Sequence, residues 1–310
     1  MTLAPPAVPG ATPRTEALKG HAAMLLFSAS VAGSFSLGAL VANDMAPAAL
    51  NAVRFLIAAL VLGALVYVMP SRRGRGYQRS DFAGFWRYVV LAALFGGYFV
   101  LMFEGLKTAN PVSAGAVFTL TPLITAGFAW FLLRQRLDGW LALALAIGAA
   151  GAVWVIFRGD LVALLAFQIG PGEAIYFIGC ILHAAFTPLL RRLGRGEPAL
   201  VVTSLVMATG FVLLAAYGWA DLRAIDWRTV SPLIWATVLY LALFASALTF
   251  VLLQFAAQRL PSSKVMAYTY LTPAWIILWE LALGHGGPGL LVLPGIAVIV
   301  LALVMLLRND

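Results

Sequence analysis

The sequence predicts an all-α integral membrane protein, with ten transmembrane helices in an inverted 5+5 repeat around a central cavity. Three observations carry that expectation. The 310 residues are 63% apolar and only 10% charged, whereas soluble domains are about 45–50% apolar. Apolar stretches near the roughly 20 residues that span a bilayer occur at 20–42, 46–69, 85–106, 111–133, 139–157, 173–190, 199–220, 231–257, 262–283 and 287–307. They are solidly apolar instead of alternating, which argues against a barrel of strands, and a helix satisfies its backbone polar groups within the segment. Finally, Ala116-Val117-Phe118-Thr119-Leu120-Thr121-Pro122 has an echo 151 positions later, Ala267-Tyr268-Thr269-Tyr270-Leu271-Thr272-Pro273. The same offset lays Phe99-Val100-Leu101 on Phe250-Val251-Leu252. A shared offset at separate places marks a duplicated unit. Five spans per copy is an odd number, so the second copy crosses the membrane in the opposite sense, an arrangement that puts a binding site near the midplane.

Residues 1–18 hold four prolines and no apolar run long enough for a signal peptide, and read as a disordered cytoplasmic tail. The first five-helix repeat is expected over 19–158, a linker over 159–172 and the second repeat over 173–308. Helix one is rich in small residues, Ser28, Ala29, Ser30, Ala32, Gly33, Ser34 and Ser36, which let membrane helices approach closely. Helix two carries Asn51 and Arg54, and the basic loop 70–81 follows. Helix three rises through Gly96, Gly97, Tyr98, Phe99 and Phe103 to Glu104. Helix four begins after Lys107-Thr108-Ala109-Asn110-Pro111 and ends at Arg134-Gln135-Arg136-Leu137; helix five is rich in Ala, Leu and Gly. The linker's apolar run Leu161 to Phe167 is too short to span and is expected along the outer interface. Helix six carries Tyr176, Cys180, His183 and Pro188, helix eight Tyr240, Phe244 and Gln254, and helix nine Tyr268, Tyr270, Trp275, Trp279 and Glu280.

The net charge of +8 is not a nucleic-acid signal, because of where it falls. With the N-terminus inside and loops alternating, fifteen of the twenty basic residues lie on the inner side, Lys264 among them. Lys107, Arg158, Arg223 and Arg228 lie outside, and Arg54 lies within a span. The positive-inside bias therefore predicts both termini in the cytoplasm.

At Tyr98 to Leu137 the chain resembles the first EamA-type repeat of the drug/metabolite transporter superfamily. Small residues follow a turn, a proline sits in a Leu-x-Pro context, and an apolar run ends near a basic-polar-basic-Leu stop; Gln135 stands where that family often has glutamate. Asn51-Ala52-Val53-Arg54-Phe55 is similar to the family's arginine-phenylalanine on helix two, and Tyr270-Leu271-Thr272-Pro273 to its second-half pattern. The usual terminal Gly-Glu of the second repeat is absent, since His285-Gly286 fall there and Glu280 comes earlier. The resemblance covers 19–308. It implies ten helices, an inverted repeat and a cavity lined by helices one, three, four, six, eight and nine. Within the superfamily it looks most like bacterial amino-acid exporters of the YddG type, which implies a bacterial cytoplasmic (inner) membrane location.

Ionisable groups inside a bilayer are functional candidates by default. Arg54 reads as a clamp for a substrate carboxylate, through two parallel hydrogen bonds, or as a structural residue paired with Glu104 or Glu280. Those acids either bind a cation or proton or are solvated at the outer mouth. His183, in the middle of helix six, either meets a substrate or proton or packs as a neutral ring. Pro122 and Pro273 are expected inside helices, each removing one hydrogen bond, freeing the carbonyls of Phe118 and Thr269 and acting as hinges; the bland alternative is that neighbouring groups satisfy those carbonyls. Tyr98, Phe99, Phe103, Tyr176, Tyr240, Phe244, Tyr268, Tyr270, Trp275 and Trp279 form the expected aromatic wall for apolar side chains or a cation, or else an interfacial belt.

The sequence has no Gly-x4-Gly-Lys-Ser/Thr loop, no His-Glu-x-x-His and no Gly-x-Ser-x-Gly, so neither an ATP motor nor the common hydrolase signatures are written in it. One cysteine, Cys180, makes no disulfide framework or multi-cysteine metal site. No enzyme activity, metal or cofactor is expected. The expected partners are a small solute and the lipid bilayer, without nucleic acid, and the protein is expected to act as a monomer. The function expected is a secondary transporter or facilitator exporting small metabolites, foremost amino acids, by alternating access. Multidrug or sugar-derivative efflux is the alternative within transport. An intramembrane enzyme is the alternative class, disfavoured because its polar groups are scattered.

Overall fold

A computed structural model describes residues 13–69, 71, 74–134, 138–260, 265 and 267–308, with the backbone alone at Pro13 and Arg308. Arg72, Arg73, Lys264, the stop Gln135-Arg136-Leu137 and most of the expected N-terminal tail lie outside the described residues. The regular elements are helices: α1 Pro13–Val41, α2 Pro47–Val68, α3 Trp86–Leu106, α4 Pro111–Phe118, α5 Thr121–Leu133, α6 Gly139–Ile156 and α7 Leu161–Leu165. They continue with α8 Pro171–Leu193, α9 Ala199–Tyr217, α10 Trp219–Ala224, α11 Pro232–Ala242, α12 Thr249–Ala257, α13 Thr272–Ala282 and α14 Leu293–Arg308. Among the described residues, nine stretches are long and apolar enough to cross a membrane; α4 with α5 makes one of them and α11 with α12 another. α2, α4, α8 and α11 each open on a proline, a position whose N–H has no helical partner in any case.

α1 begins at Pro13, earlier than the expected end of the tail. Glu16 sits in its first turn, where the helix dipole favours an acid. It also accepts hydrogen bonds from Lys19 Nζ at 2.8 Å and from Arg259 Nε at 2.9 Å, so the start of α1 is tied to the end of α12.

The two prolines of the repeat do not interrupt helices. α4 stops at Phe118, and the Thr119 hydroxyl donates to Ala116 O at 2.7 Å. Leu120 and Leu271 precede the two restarts with nearly the same backbone, φ −77° ψ −18° and φ −78° ψ −12°. Pro122 and Pro273 then fall in the first turns of α5 and α13. A first turn needs no intrahelical N–H donor, so the expectation of a broken mid-helix bond gives way to a turn followed by a new helix. The break falls at residues 119–120 and, in the second copy, at the 3-10 turn Tyr268–Leu271.

The halves interleave. α3 packs along α8, α2 along α9 and α6 along α14, while α4 meets α13. α1 lies against α11, α12 and α13, and α4 and α5 lie against α8. Shifting every spanning segment by five places exchanges the α3–α8 pairing with that of α11 and α12 on α1. It also exchanges α1–α13 with α8–α4, and returns the α2–α9, α4–α13 and α6–α14 pairs to themselves. The packing thus has the two-fold relation that an inverted repeat requires. At the α6–α14 crossing a Cβ on Gly151 would lie 2.8 Å from Gly295 O, and one on Gly295 2.9 Å from Gly151 O, so only glycines admit this approach. Large apolar side chains such as Leu60, Phe131, Val212 and Leu301 face outward, where lipid replaces water as the solvent. Leu161, Val162 and Leu165 of α7 are likewise exposed.

Candidate functional site

Arg54 is 0% exposed and heads the fully buried side chains by volume. α2 carries it inward, and its guanidinium lies 3.7 Å above the Phe99 ring. Its Nε and Nη2 both donate to Ser246 Oγ at 3.1 Å, and that hydroxyl donates onward to Leu241 O at 2.8 Å. Ser246 belongs to Leu243–Leu248, a turn of π-helix joining α11 to α12; such wide turns inside helices occur often at functional sites. Arg54 Nη1 is buried without a hydrogen-bond partner, and so is Oδ1 of Asn51, one turn earlier. Neither Glu104 nor Glu280 pairs with Arg54. Glu104 bonds Lys107 Nζ at 2.8 Å, partly exposed at the end of α3, and Glu280 bonds His285.

Phe99 leads from Arg54 into an aromatic nest. Its ring is edge-on to Phe55 and Phe95, at 5.8 and 4.9 Å, and its neighbour Tyr98 lies 4.6 Å from it. The Tyr98 hydroxyl meets that of Tyr176 at 3.1 Å, joining α3 to α8. The His183 ring lies 4.5 Å from Tyr98, 5.9 Å from Phe118 and 6.0 Å from Phe95. Its Nδ1 is buried and has no hydrogen-bond partner. Arg54, Tyr98, Phe99 and His183 are therefore brought together, with two polar atoms left open.

A second group forms on α1. Tyr240 OH donates to Ser30 O at 2.9 Å, Trp279 Nε1 to Ala29 O at 3.2 Å and Trp275 Nε1 to Ser28 Oγ at 2.9 Å. Phe244 stacks on Tyr240 at 5.5 Å, and Gly33 leaves the room that Tyr240 and Trp279 occupy. The first group occupies the α3–α8 pairing and the second the α1–α11 pairing, the two that the five-helix shift exchanges. Phe35 of α1 reaches the first group, 5.9 Å from Tyr176 and 6.0 Å from Phe118.

The remaining sequence candidates lie elsewhere. Phe103 is packed in an apolar cluster with Leu50, Val238 and Leu241. Tyr268 bonds His21 Nδ1 at 2.9 Å. Tyr270 fills the notch left by Gly148 of α6, and its buried hydroxyl is unpartnered. Sequence reasoning missed Ser246, because a serine in the apolar run Leu243-Phe244-Ala245-Ser246-Ala247-Leu248 gives no sign of a π-turn. It also passed over Phe95 and the ring of Phe118, and gave His285 no role in a site. Phe118 stands inside the repeated motif, which was the signal available.

The profile of the EamA-like transporter family matches residues 18–157 and again 170–308. This chain belongs to the EamA-like transporter family. Two Bacillus subtilis (strain 168) proteins are similar to this EamA-like transporter. The uncharacterized transporter YyaM is 23% identical over 262 residues, 84% of this chain and 85% of that protein. The uncharacterized transporter YetK is 22% identical over 236 residues, 74% of this chain and 68% of that protein. A solved protein crystal structure shares the fold with a TM-score of 0.66 at 23% identity, covering 94% of this chain and 96% of that one. The protein is accordingly a multi-pass membrane transporter, and not an enzyme.

Proposed function

We propose that this EamA-like transporter exports amino acids, including aromatic and apolar ones, as the YddG-type exporters it resembles do. The membrane is the cytoplasmic one, with both termini on the cytoplasmic side. The observation that carries the reading is Arg54: a fully buried guanidinium with its Nη1 unpartnered, laid on Phe99 at the edge of the Tyr98–His183–Phe118 nest. A carboxylate is the natural partner of that open edge, since charge-assisted hydrogen bonds are about twice as strong as neutral ones. The aromatic faces beside it suit an apolar side chain. Alternating access is supported by the packing, in which the α3–α8 and α1–α11 walls are exchanged by the two-fold relation. The turns before Pro122 and Pro273 are the places where each half bends.

The test is flux in proteoliposomes with labelled amino acids and a dye-type organic cation, with and without a pH gradient. Amino-acid flux that persists without a gradient supports a facilitator. Flux of the cation alone replaces this reading with multidrug efflux and removes Arg54 from the site.

A further inference from the structure

Glu280 of α13 is only 8% exposed, and its two carboxylate oxygens have different surroundings. Oε2 is hydrogen-bonded with His285 Nδ1 at 2.9 Å, while Oε1 is buried with no partner. Ser113, in the first turn of α4, is 3% exposed and its hydroxyl is also buried and unpartnered. Both residues line one cavity of about 500 Å³, and so does Arg158 just beyond the end of α6. The segment 286–292 forms another side of that cavity and is strapped to α6 by Trp154 Nε1 donating to Leu291 O at 2.7 Å. None of the residues that touch Arg54 lines it.

A buried polar atom left without a hydrogen bond costs about 1–3 kcal/mol, and two such atoms on residues that line one cavity, within reach of a small side-chain movement, point to an occupant. We infer that this cavity is a second solute site, separate from Arg54, whose occupant carries both an ammonium and a carboxylate. The ammonium donates to Glu280 Oε1 and to the Ser113 hydroxyl, and Arg158 receives the carboxylate. A solute with one charge leaves the other side of the cavity unmatched: an amine alone is opposed by Arg158, and an acid alone by Glu280. The site draws on both halves, since Ser113 and Arg158 come from the first and Glu280 and His285 from the second. Its occupancy does not depend on the interior arginine.

The experiment is equilibrium binding of tritiated L-leucine to the purified full chain, as wild type and as Arg54→Ala. Leucinamide and 4-methylpentanoate serve as single-charge competitors. The expected result is saturable leucine binding that survives Arg54→Ala, and in that variant both competitors bind at least tenfold more weakly than leucine. In the Arg54→Ala background, where only this cavity is left to bind, Glu280→Gln and Arg158→Gln should each weaken binding at least tenfold. Should Glu280→Gln not be monodisperse, Ser113→Ala is read instead, with several-fold weaker binding expected. Absence of saturable binding, indifference to these substitutions, or leucinamide binding as well as leucine would each overturn the assignment. Leucine flux in wild-type proteoliposomes separates the two proposals, because absent flux with this binding intact removes the export reading and leaves this one.

Discussion

Two arginines are buried among the described residues, and their surroundings are opposite. Arg87, at the start of α3, donates from Nε to Gly84 O at 3.2 Å, from Nη1 to Leu193 O at 2.7 Å and from Nη2 to Ala83 O at 2.9 Å and Glu197 Oε1 at 2.7 Å. Its acceptors come from the segment before α3, from the last residue of α8 and from the connection that follows it, so it staples two parts of the chain. Arg54 has Ser246 Oγ, a ring beneath it and an open Nη1. A buried charge is tolerated when hydrogen bonds replace its water. Arg87 meets that condition within the fold. Arg54 does not, which is what a site that still has a ligand to receive looks like. The contrast sets a cation saturated by the fold against one that keeps an open donor, and it is the ground on which Arg54 is proposed for the site.

The largest effect is expected where the saturated arginine is removed. Arg87→Ala leaves Glu197 buried without its cation, a class of change that costs about 3–5 kcal/mol, and should lower the thermal unfolding midpoint in detergent sharply. An unchanged midpoint would show that the staple contributes nothing. Next comes Ser246→Ala, which strips Arg54 of its hydroxyl acceptor and should cost about 1–3 kcal/mol. Adding Arg54→Met to that variant should restore the midpoint, because replacing an under-satisfied buried charge by an apolar side chain is often neutral or stabilising. If the double variant is no more stable than Ser246→Ala, the strain was never on Arg54. Smaller again is Arg54→Lys, which keeps the charge and loses the planar fork. Carboxylate flux should fall about tenfold, a barrier change of about 1.4 kcal/mol, with the midpoint unmoved. Full flux in that variant would make Arg54 a structural residue, as Arg87 is.

How far this contrast could be read in the sequence differs between fold and site. Spans were legible because lipid demands uninterrupted apolar length, and α2, α3 and α6 fall within a residue or so of the expected stretches. The repeat was legible because Leu-Thr-Pro recurs, and its backbone angles recur with it. What the prolines do was misjudged, since a proline in an apolar run looks the same whether it kinks a helix or starts one. Arg54 stood out as an ion in a span, but its partner did not, because Ser246 reaches it only through a π-turn that no residue pattern announces. Arg87 looked like one more basic residue of an inner loop; its acceptors are mostly backbone carbonyls, which carry no sequence signal. Tyr270 looked like a wall residue and instead fills a notch that a glycine on another helix provides.

The smallest effect tests the charge in the staple apart from its shape. Burial by itself would raise the Glu197 carboxyl. Hydrogen bonds from Arg87, from the Arg195 N–H and from its own backbone, together with the nearby guanidinium charge, outweigh that and hold it below the usual glutamate range. A group depressed on folding binds its proton more weakly in the folded chain, so it adds stability that is fully present above its ordinary value and is lost as pH falls through the depressed one. Glu197→Gln keeps an oxygen acceptor for Arg87 and removes only the charge, and Arg87 retains three carbonyl acceptors. The variant's unfolding midpoint should therefore sit modestly below wild type at neutral pH. The gap should hold down to the ordinary carboxylate range and then close on further acidification. A gap that is the same at every pH would mean that the amide costs packing, with no contribution from charge. One that widens in acid would reverse the sign of the linkage and with it the claim that Arg87 is the satisfied arginine of the pair.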